Sequence, residues 1–493
     1  MTKKKVIIVG SGVAGLASAL RLNHAGYEVV IIEKHHQAGG RLNRIVKDGF
    51  TFDTGPSFFS MSYEFRSFFK ECGLDLPFEA IALDPLYTVH LAGSKKPYHL
   101  YKDIQKLSKQ FEAVEPDFEK KMTNYLSKSG KLFHDTFDPV IRNNFDNLFQ
   151  YIQKLARVNL IHVPVLTRTF WEEICRHFDS KEAREIISLV GFFLGRTPFD
   201  TMGIYSLLSY TEFVHDGYYN VKGGMYEIVH SIVKILEQRG VHIQYNTEII
   251  SYSSIKNKLT AVIDQHGNAH TADHFIINSD AAAFRGAVFG RKSYTTKKLD
   301  KMSWTMGYLT IYLGINIKLK DINHHNYYLG SNYEQYKSDV KNHDLKGEKP
   351  YYYVNVLSKN NPDCAPEGCE SLFFVCPVPN LQDKPSWEDQ DEIVDSLLRD
   401  FSERNVIDIF PSIISKTVYT PLDWKSQFNL YHGSGLSLSP SMFQIGVFRP
   451  KNFDEVYSNT FYTGASTVPG SGIPMALISA ELVCKRVYAY DNT

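Results

Sequence analysis

Apolar residues fall in two rhythms along the chain, and the switches between them mark its elements. Lys5-Val-Ile-Ile-Val9 is an unbroken, β-branched run of the kind that forms a buried parallel strand. Leu16 to Ala25 is rich in helix formers until Gly26 stops it, and Tyr27 to Ile32 is a second apolar strand ending on Glu33. Met225 to Arg239 predicts another helix, leading into a strand over Val241 to Tyr245. Residues 103 to 210 read as mostly helical, whereas 290 to 450 alternates strands such as Tyr308 to Leu313 and Ser371 to Val375 with loops. Near the end, Thr460 to Thr463 predicts a strand, Gly464-Ala-Ser-Thr a turn, and Pro469-Gly-Ser-Gly472-Ile473-Pro-Met475 the approach to a helix over Ala476 to Val487. This alternation predicts an α/β fold.

The turn after the first strand carries chemistry. Gly10-Ser-Gly12-Val-Ala14-Gly15 has the G-x-G-x-x-G spacing: Gly10 for the tight turn, Gly12 for close approach to a pyrophosphate, Gly15 for packing of helix on strand. Unsatisfied N–H groups and the dipole at the helix start stabilise an anion there. Glu33, at the carboxyl end of the second strand, is placed to accept hydrogen bonds from a ribose. An acid in that position disfavours a 2′-phosphate, and with it NADP. The full strand–turn–helix–strand context makes this far stronger than the glycine spacing alone.

Composition narrows the picture mainly by exclusion. The 54 basic residues balance 54 acidic ones over 493 residues, so net charge gives no reason to expect a nucleic-acid partner. A chain this long exceeds what one hydrophobic core usually serves, which predicts two or three domains. The six cysteines are scattered without a Cys-x-x-Cys pair, so neither a disulfide framework nor a metal site is expected, and the close pair Cys364 and Cys369 receives no role. Val6 to Val9 is too short for a signal-peptide core, which makes the cytoplasm the expected location. No run reaches the roughly 18 apolar residues of a spanning helix. Leu148, Ile152, Leu155 and Val158 do recur at helical spacing beside Lys154 and Arg157, with Leu160-Ile-His-Val-Pro164 following. That stripe is read either as an amphipathic helix packed on the core or as one lying on a membrane surface.

Further motifs carry a resemblance. Lys34-His-His-Gln-Ala-Gly39-Gly40-Arg41-Leu42 and Phe52-Asp-Thr-Gly55-Pro56-Ser57-Phe58 resemble the glycine–glycine–arginine and Asp-x-Gly-Pro-Ser/Thr segments of the flavoprotein superfamily of amine oxidases, protoporphyrinogen oxidase and carotenoid desaturases. Gly217-Tyr-Tyr-Asn-Val-Lys-Gly223-Gly224-Met225 is similar to a Pro-Lys-Gly-Gly-Met segment of the bacterial-type carotenoid (phytoene) desaturases, with Asn220-Val221 where an aromatic residue and proline are usual. Ala272 to Asp280, Tyr353 to Lys359, Ala365 to Gly368, Pro377 to Asn380, Thr420 to Asp423 and Phe448 to Pro450 extend that likeness over essentially the whole chain. Thr420-Pro-Leu-Asp423 also reads as a helix start, with a capping hydroxyl, an early proline and a first-turn acid, and that structural role is preferred for Asp423.

The resemblance implies FAD as cofactor, bound by a discontinuous Rossmann-like domain over 1–65, 217–285 and 453–493. A mixed-sheet substrate domain would span 66–102 and 286–452, with a helical lid over 103–216. It implies cofactor contacts from Gly10, Gly12, Ala14, Gly15, Glu33 and Lys34, then Gly40, Arg41 and Leu42 near the phosphates, and Gly55, Ser57 and Phe58 near the isoalloxazine. Ile249 would meet the adenine, and Asn278, Gly464, Gly472, Ile473 and Met475 would complete the set. The implied reaction removes two hydrogens from a C–C bond beside a polyene, as a hydride to flavin N5 and a proton. The implied substrate is a carotenoid drawn from the membrane, with the lid touching the membrane's inner face. Catalysis by positioning in a dry tunnel needs no side-chain acid or base, and none is nominated: Glu212, His215, Asp216, His324 and His325 are read as structural. The likeness is nearest the branch that desaturates the 3,4 bond of hydroxylated carotenoids, with phytoene desaturase next. Carotene cis-trans isomerases, amine oxidases and the non-catalytic prenyl-binding GDP dissociation inhibitors and Rab escort proteins share the scaffold. Retention of Gly39-Gly40-Arg41 and of Gly472 to Met475 argues against the last.

Overall fold

The structure, a computed structural model, describes residues 3–94, 96–331, 333–334 and 351–492; residues 335–350 of the expected substrate-domain span lie outside the described residues. Five parallel strands form the first sheet, in the order His242–Gln244, Glu28–Ile32, Lys5–Val9, His274–Ile277, Thr460–Tyr462. Three separate stretches of sequence therefore build one sheet. Both faces are covered, as the unbroken apolar strands require. On one face Val6, Ile8 and Ile31 pack with the first helix (Val13–His24), the helix Glu227–Gln238 and the last helix (Ile473–Asp491). On the other, Ile7, Val9 and Ile32 pack with a small antiparallel sheet that begins at Ile249.

Two helices are longer than the sequence pattern predicts. The first starts at Val13, inside the glycine motif, and the last starts at Ile473 and runs to Asp491. Pro474 does not stop the latter because a proline in the first turn sacrifices no intrahelical hydrogen bond. The helix Ser62–Glu71 packs through Phe65, Phe68 and Phe69 on the first core. The break expected after 65 thus falls within a helix whose buried face stays with the nucleotide sheet.

The second sheet has seven strands, in the order Ile413–Tyr419, Gly307–Ile315, Glu370–Val378, Tyr352–Val356, His325–Leu329, Tyr87–Leu91, Tyr98–Leu100. It is mixed: only His325–Leu329 and Tyr87–Leu91 run parallel. Alternate residues face opposite ways. Ile311, Tyr328, Val354 and Phe374 pack on the helix Gln390–Asn405, while Tyr87, Tyr327 and Tyr353 face the helical region. That region includes Phe118–Thr136, Leu148–Leu155, Phe170–Cys175 and Lys181–Ile187. It also meets the last helix, where Leu132, Phe133 and Phe137 pack with Ile478 and Leu482. Arg142 reinforces that junction, paired with Glu64 and, at 2.8 Å, with Glu481.

Candidate cofactor and substrate site

The glycine motif folds into a turn with no room for side chains. A Cβ on Gly15 would sit 2.3 Å from the Gly10 carbonyl oxygen and 2.7 Å from Asn278 Nδ2, and one on Gly12 would sit 2.9 Å from the same nitrogen. The second glycine pair lies directly above: Gly39 N–H donates to the Ser11 carbonyl at 3.0 Å, and a Cβ on Gly40 would be 3.3 Å from Gly12 Cα. Asn278 donates through Nδ2 to the Gly10 and Gly12 carbonyls, at 3.1 and 3.2 Å. Its Oδ1 lies 3.0 Å from where a Gly464 Cβ would be, so this side chain spaces both glycine turns.

Two helix starts and a buried arginine offer anion-binding capacity. The first helix starts at Gly12 without a side-chain cap or an acid in its first turn, and the last helix starts at Gly472 in the same way. Unsatisfied N–H groups at such starts are an anion site. Ala14 and Ile473, both buried, sit in those first turns. Arg41 donates to the Gly435 carbonyl at 2.8 Å, and no carboxylate pairs with it among the described residues. Burial lowers the pKa of this guanidinium, with Asp280 opposing the shift. An enclosed cation in need of an anion fits a phosphate of FAD.

Glu33 is buried; its Oε2 accepts from the Ser11 N–H at 2.7 Å and hydroxyl at 2.6 Å, and its Oε1 accepts from the His35 N–H at 2.9 Å. A carboxylate has about four acceptor positions, so capacity remains for a ribose hydroxyl. Lys34 reaches Asn429 at 3.2 Å and Glu248 at 3.7 Å at the same strand end. Leu42 joins the first core, and Ile249 packs beside Val9 and Ile32. Met475 packs partly buried against the lid cluster around Met61 and Phe133.

Two residues that hold the site together were not singled out by sequence reasoning. Asp53 accepts from the Met225 and Tyr226 N–H groups at 2.8 and 3.2 Å, which ties the Asp-x-Gly-Pro loop to the Gly223-Gly224-Met225 turn. Burial pushes its carboxyl up to about 6, partly opposed by those two N–H donors. Arg449 is wholly buried and donates to the carbonyls of Thr467, Gln444, Leu438 and Ala465. It thereby fixes the loop between Gly464 and Gly472 against the 438–444 segment, and burial lowers it to about 10. Both lie in motifs quoted above, but spacing alone does not show which backbone groups they grip.

Next to the glycine loops, Ser57 Oγ hydrogen-bonds the Tyr353 hydroxyl at 2.8 Å, which in turn bonds His325 Nδ1 at 2.6 Å. The Phe58 ring stacks on His325 with centroids 4.0 Å apart and lies 4.9 Å from Tyr218 and 5.0 Å from Phe193. Tyr308 and Val375, on central strands of the large sheet, keep accessible surface where their neighbours have none. Phe58 and Phe193 are also only half-buried. These four side chains pack against the core that joins the large sheet to the helical region. Among the described residues no cluster of three or more His, Cys, Asp or Glu is arranged to hold a metal.

Two uncapped helix starts and a buried acid at the end of the second strand, on a parallel sheet covered on both faces, fit a dinucleotide-binding protein of the doubly wound type. Residues 13–488 match the model of the flavin containing amine oxidoreductase family, and the chain belongs to that family. It is an FAD-dependent oxidoreductase. A zeta-carotene-forming phytoene desaturase of Myxococcus xanthus is 29% identical over 99% of this chain and 95% of its own. A carotenoid 3,4-desaturase of Haloarcula japonica is 26% identical over 98% of this chain and 97% of its own. Among solved structures, a putrescine oxidase covers 99% of both chains with a TM-score of 0.66 at 13% identity, a likeness of fold.

Proposed function

We propose that this enzyme is a carotenoid desaturase that introduces a double bond beside a polyene, and that its bond is the 3,4 bond of a 1′-hydroxylated carotenoid. The observation that carries the reading is end-to-end similarity to desaturases, and half-buried aromatic side chains lie beside the loop from Asp53 to Phe58. FAD, when bound, supplies an oxidant able to take a hydride equivalent from an allylic carbon. The chain's task is to exclude water and hold the bond in place, which Phe58, Phe193, Tyr308 and Val375 suit. The three-part domain partition predicted above supports this division of labour, with cofactor on one sheet and polyene on the other. Phytoene desaturase is the second reading, favoured by the 29% identity to the Myxococcus xanthus enzyme.

A polyene must come from a membrane, and the lid carries an apolar surface suited to one. Leu148, Phe149, Ile152 and Leu155 are all exposed, as are Leu160 and Ile161, with Phe149 at 68% and Leu160 at 79%. Tyr151, at the edge of this stripe, is buried and packs on Phe448 of a second exposed apolar segment, Met442, Phe443 and Phe448. No acid occurs from Asn147 to Trp171, whereas Lys154 and Arg157 flank the stripe. Such a patch exceeds what scattered surface residues need, and its basic rim suits anionic headgroups. No described helix is long and apolar enough to cross a membrane. The test of the function is product analysis: liposomal 1′-hydroxy-γ-carotene should lose two mass units with a red-shifted spectrum. Turnover of phytoene but not of the hydroxylated carotenoid would move the assignment to the second reading.

A further inference from the structure

The segment 433–439, within the span expected for the substrate domain, is fastened to both sheets. The Gly435 N–H donates to the Met306 carbonyl at 2.9 Å, and the Leu436 N–H donates to Thr305 Oγ1 at 3.0 Å. The Ser437 carbonyl accepts from the Thr305 N–H at 3.0 Å. Thr305 and Met306 immediately precede the strand Gly307–Ile315 of the large sheet. Ser437 Oγ donates to Asp280 at 2.6 Å, and Asp280 caps the helix Ala281–Ala287 that follows the nucleotide-sheet strand His274–Ile277.

Gly435 sits in the middle of this bridge and is buried. Its carbonyl accepts from Arg41 Nη1 at 2.8 Å, while a Cβ on it would lie 2.1 Å from two carbons of the Tyr308 ring. Its backbone is outside the left-handed region, so the ring and not the chain conformation demands a glycine. Arg41 follows directly on Gly39 and Gly40, the pair that covers the first glycine turn: Gly39 is bridged to Gly12, and its N–H bonds the Ser11 carbonyl. A guanidinium has five N–H donors. Among the described residues the Arg41 side chain makes one hydrogen bond, to Gly435. A single bond to a neutral acceptor fixes the direction of the side chain and leaves its charge for an anion.

We propose that Gly435 is a positioning residue for the cofactor: its carbonyl holds the Arg41 guanidinium beside the glycine turn, ready for a phosphate of FAD, and the Tyr308 ring sets where that carbonyl stands. A cation already held in its binding geometry loses less side-chain freedom when the anion arrives, which raises affinity. FAD retention thereby depends on a side chain of the large sheet, which carries none of the glycine motifs. The inference rests on FAD binding alone and holds whichever polyene is the substrate.

The experiment titrates FAD into the apoenzyme by fluorescence, with thermal melting of each apoenzyme as the folding control. Gly435→Ala drives a methyl group into the Tyr308 ring and displaces the carbonyl, so FAD affinity should fall about tenfold or more. Arg41→Met should lower it by at least as much. In the Arg41→Met background, Gly435→Ala should change affinity by less than about threefold, because the interaction it disturbs is already gone. That non-additivity is what a merely structural glycine would not show. Combining Gly435→Ala with Tyr308→Ala removes the clash and should restore affinity to within a few fold of Tyr308→Ala alone. Full affinity in Gly435→Ala or in Arg41→Met, an equal loss with and without Arg41, or no recovery in the combined variant would overturn the assignment. If Gly435→Ala melts too low to titrate, Tyr308→Trp, which presses a larger ring on the same glycine, takes its place. A loss of affinity that disappears in the Arg41→Met background then supports the proposal, and a loss independent of Arg41, or none, overturns it.

Discussion

Single residues in this enzyme are constrained by what surrounds them on all sides. Gly15 is the sharpest case: Gly15→Ala places a methyl group within 2.7 Å of two polar atoms, so either the turn opens or Asn278 withdraws from it. FAD affinity should fall about tenfold or more, read by fluorescence titration of the apoenzyme. Glu212 gives a prediction with a sign. Its pKa is raised from 4.5 to about 8 by burial, so the folded state binds a proton that the unfolded chain releases. The stability this contributes is complete below about pH 4.5 and is lost as pH rises to about 8. Asp53 and Glu185, raised to about 6 and about 7, act in the same direction, so the informative quantity is a difference. Glu212→Gln should gain stability relative to the wild type on going from pH 5 to pH 8, measured by thermal melting; a constant difference would show that the carboxyl does not titrate there. At this scale the sequence spoke for glycines and for Glu33, whose tasks follow from backbone geometry. It gave Asp53 and Arg449 no task and read Glu212 only as structural: Asp53's partners lie 172 and 173 residues away, and the carbonyls that Arg449 grips are picked out only by how their loop folds.

Elements were legible where a local rule sets them. Thr420 and Asp423 form a capping box, with Asp423 accepting from the Thr420 N–H at 2.7 Å, as their spacing predicts. Thr420→Ala should cost about 1 kcal/mol, seen as a lower urea midpoint without loss of FAD. Its Pro421 occupies the first turn, where its missing N–H is harmless. The stripe at Leu148 to Leu155 illustrates the opposite limit. Periodicity finds the helix but not which side is buried, since both an apolar core and an apolar membrane face produce the same pattern. The structure buries Tyr151 and exposes the leucines, and it brings up Met442, Phe443 and Phe448, which no local pattern connects to that helix. Replacing Phe149 and Phe443 together by Glu should lower binding to anionic liposomes by tenfold or more in a flotation assay, with FAD content unchanged. Undiminished binding would place the membrane contact elsewhere.

Across the whole molecule, Arg142 is a polar contact that joins the lid to the nucleotide domain. It pairs with Glu64, buried on the nucleotide side, with Glu481 of the last helix, and with Asp138 of the lid. Arg142→Leu leaves Glu64 buried and unpaired, which should destabilise the enzyme by roughly 3–5 kcal/mol, and adding Glu64→Gln should recover much of that loss. The two-sheet plan was readable from αβ alternation, and the resemblance implied that separate stretches build the nucleotide domain, but the strand order 242–244, 28–32, 5–9, 274–277, 460–462 is a product of folding. The central claim is that this assembly uses FAD to desaturate a carotenoid, and mass spectrometry of a liposomal reaction tests it most directly. FAD-loaded enzyme incubated with 1′-hydroxy-γ-carotene should yield a product two mass units lighter. Unchanged mass with an altered isomer profile, or no conversion of any polyene beside ready oxidation of a small amine, would contradict it.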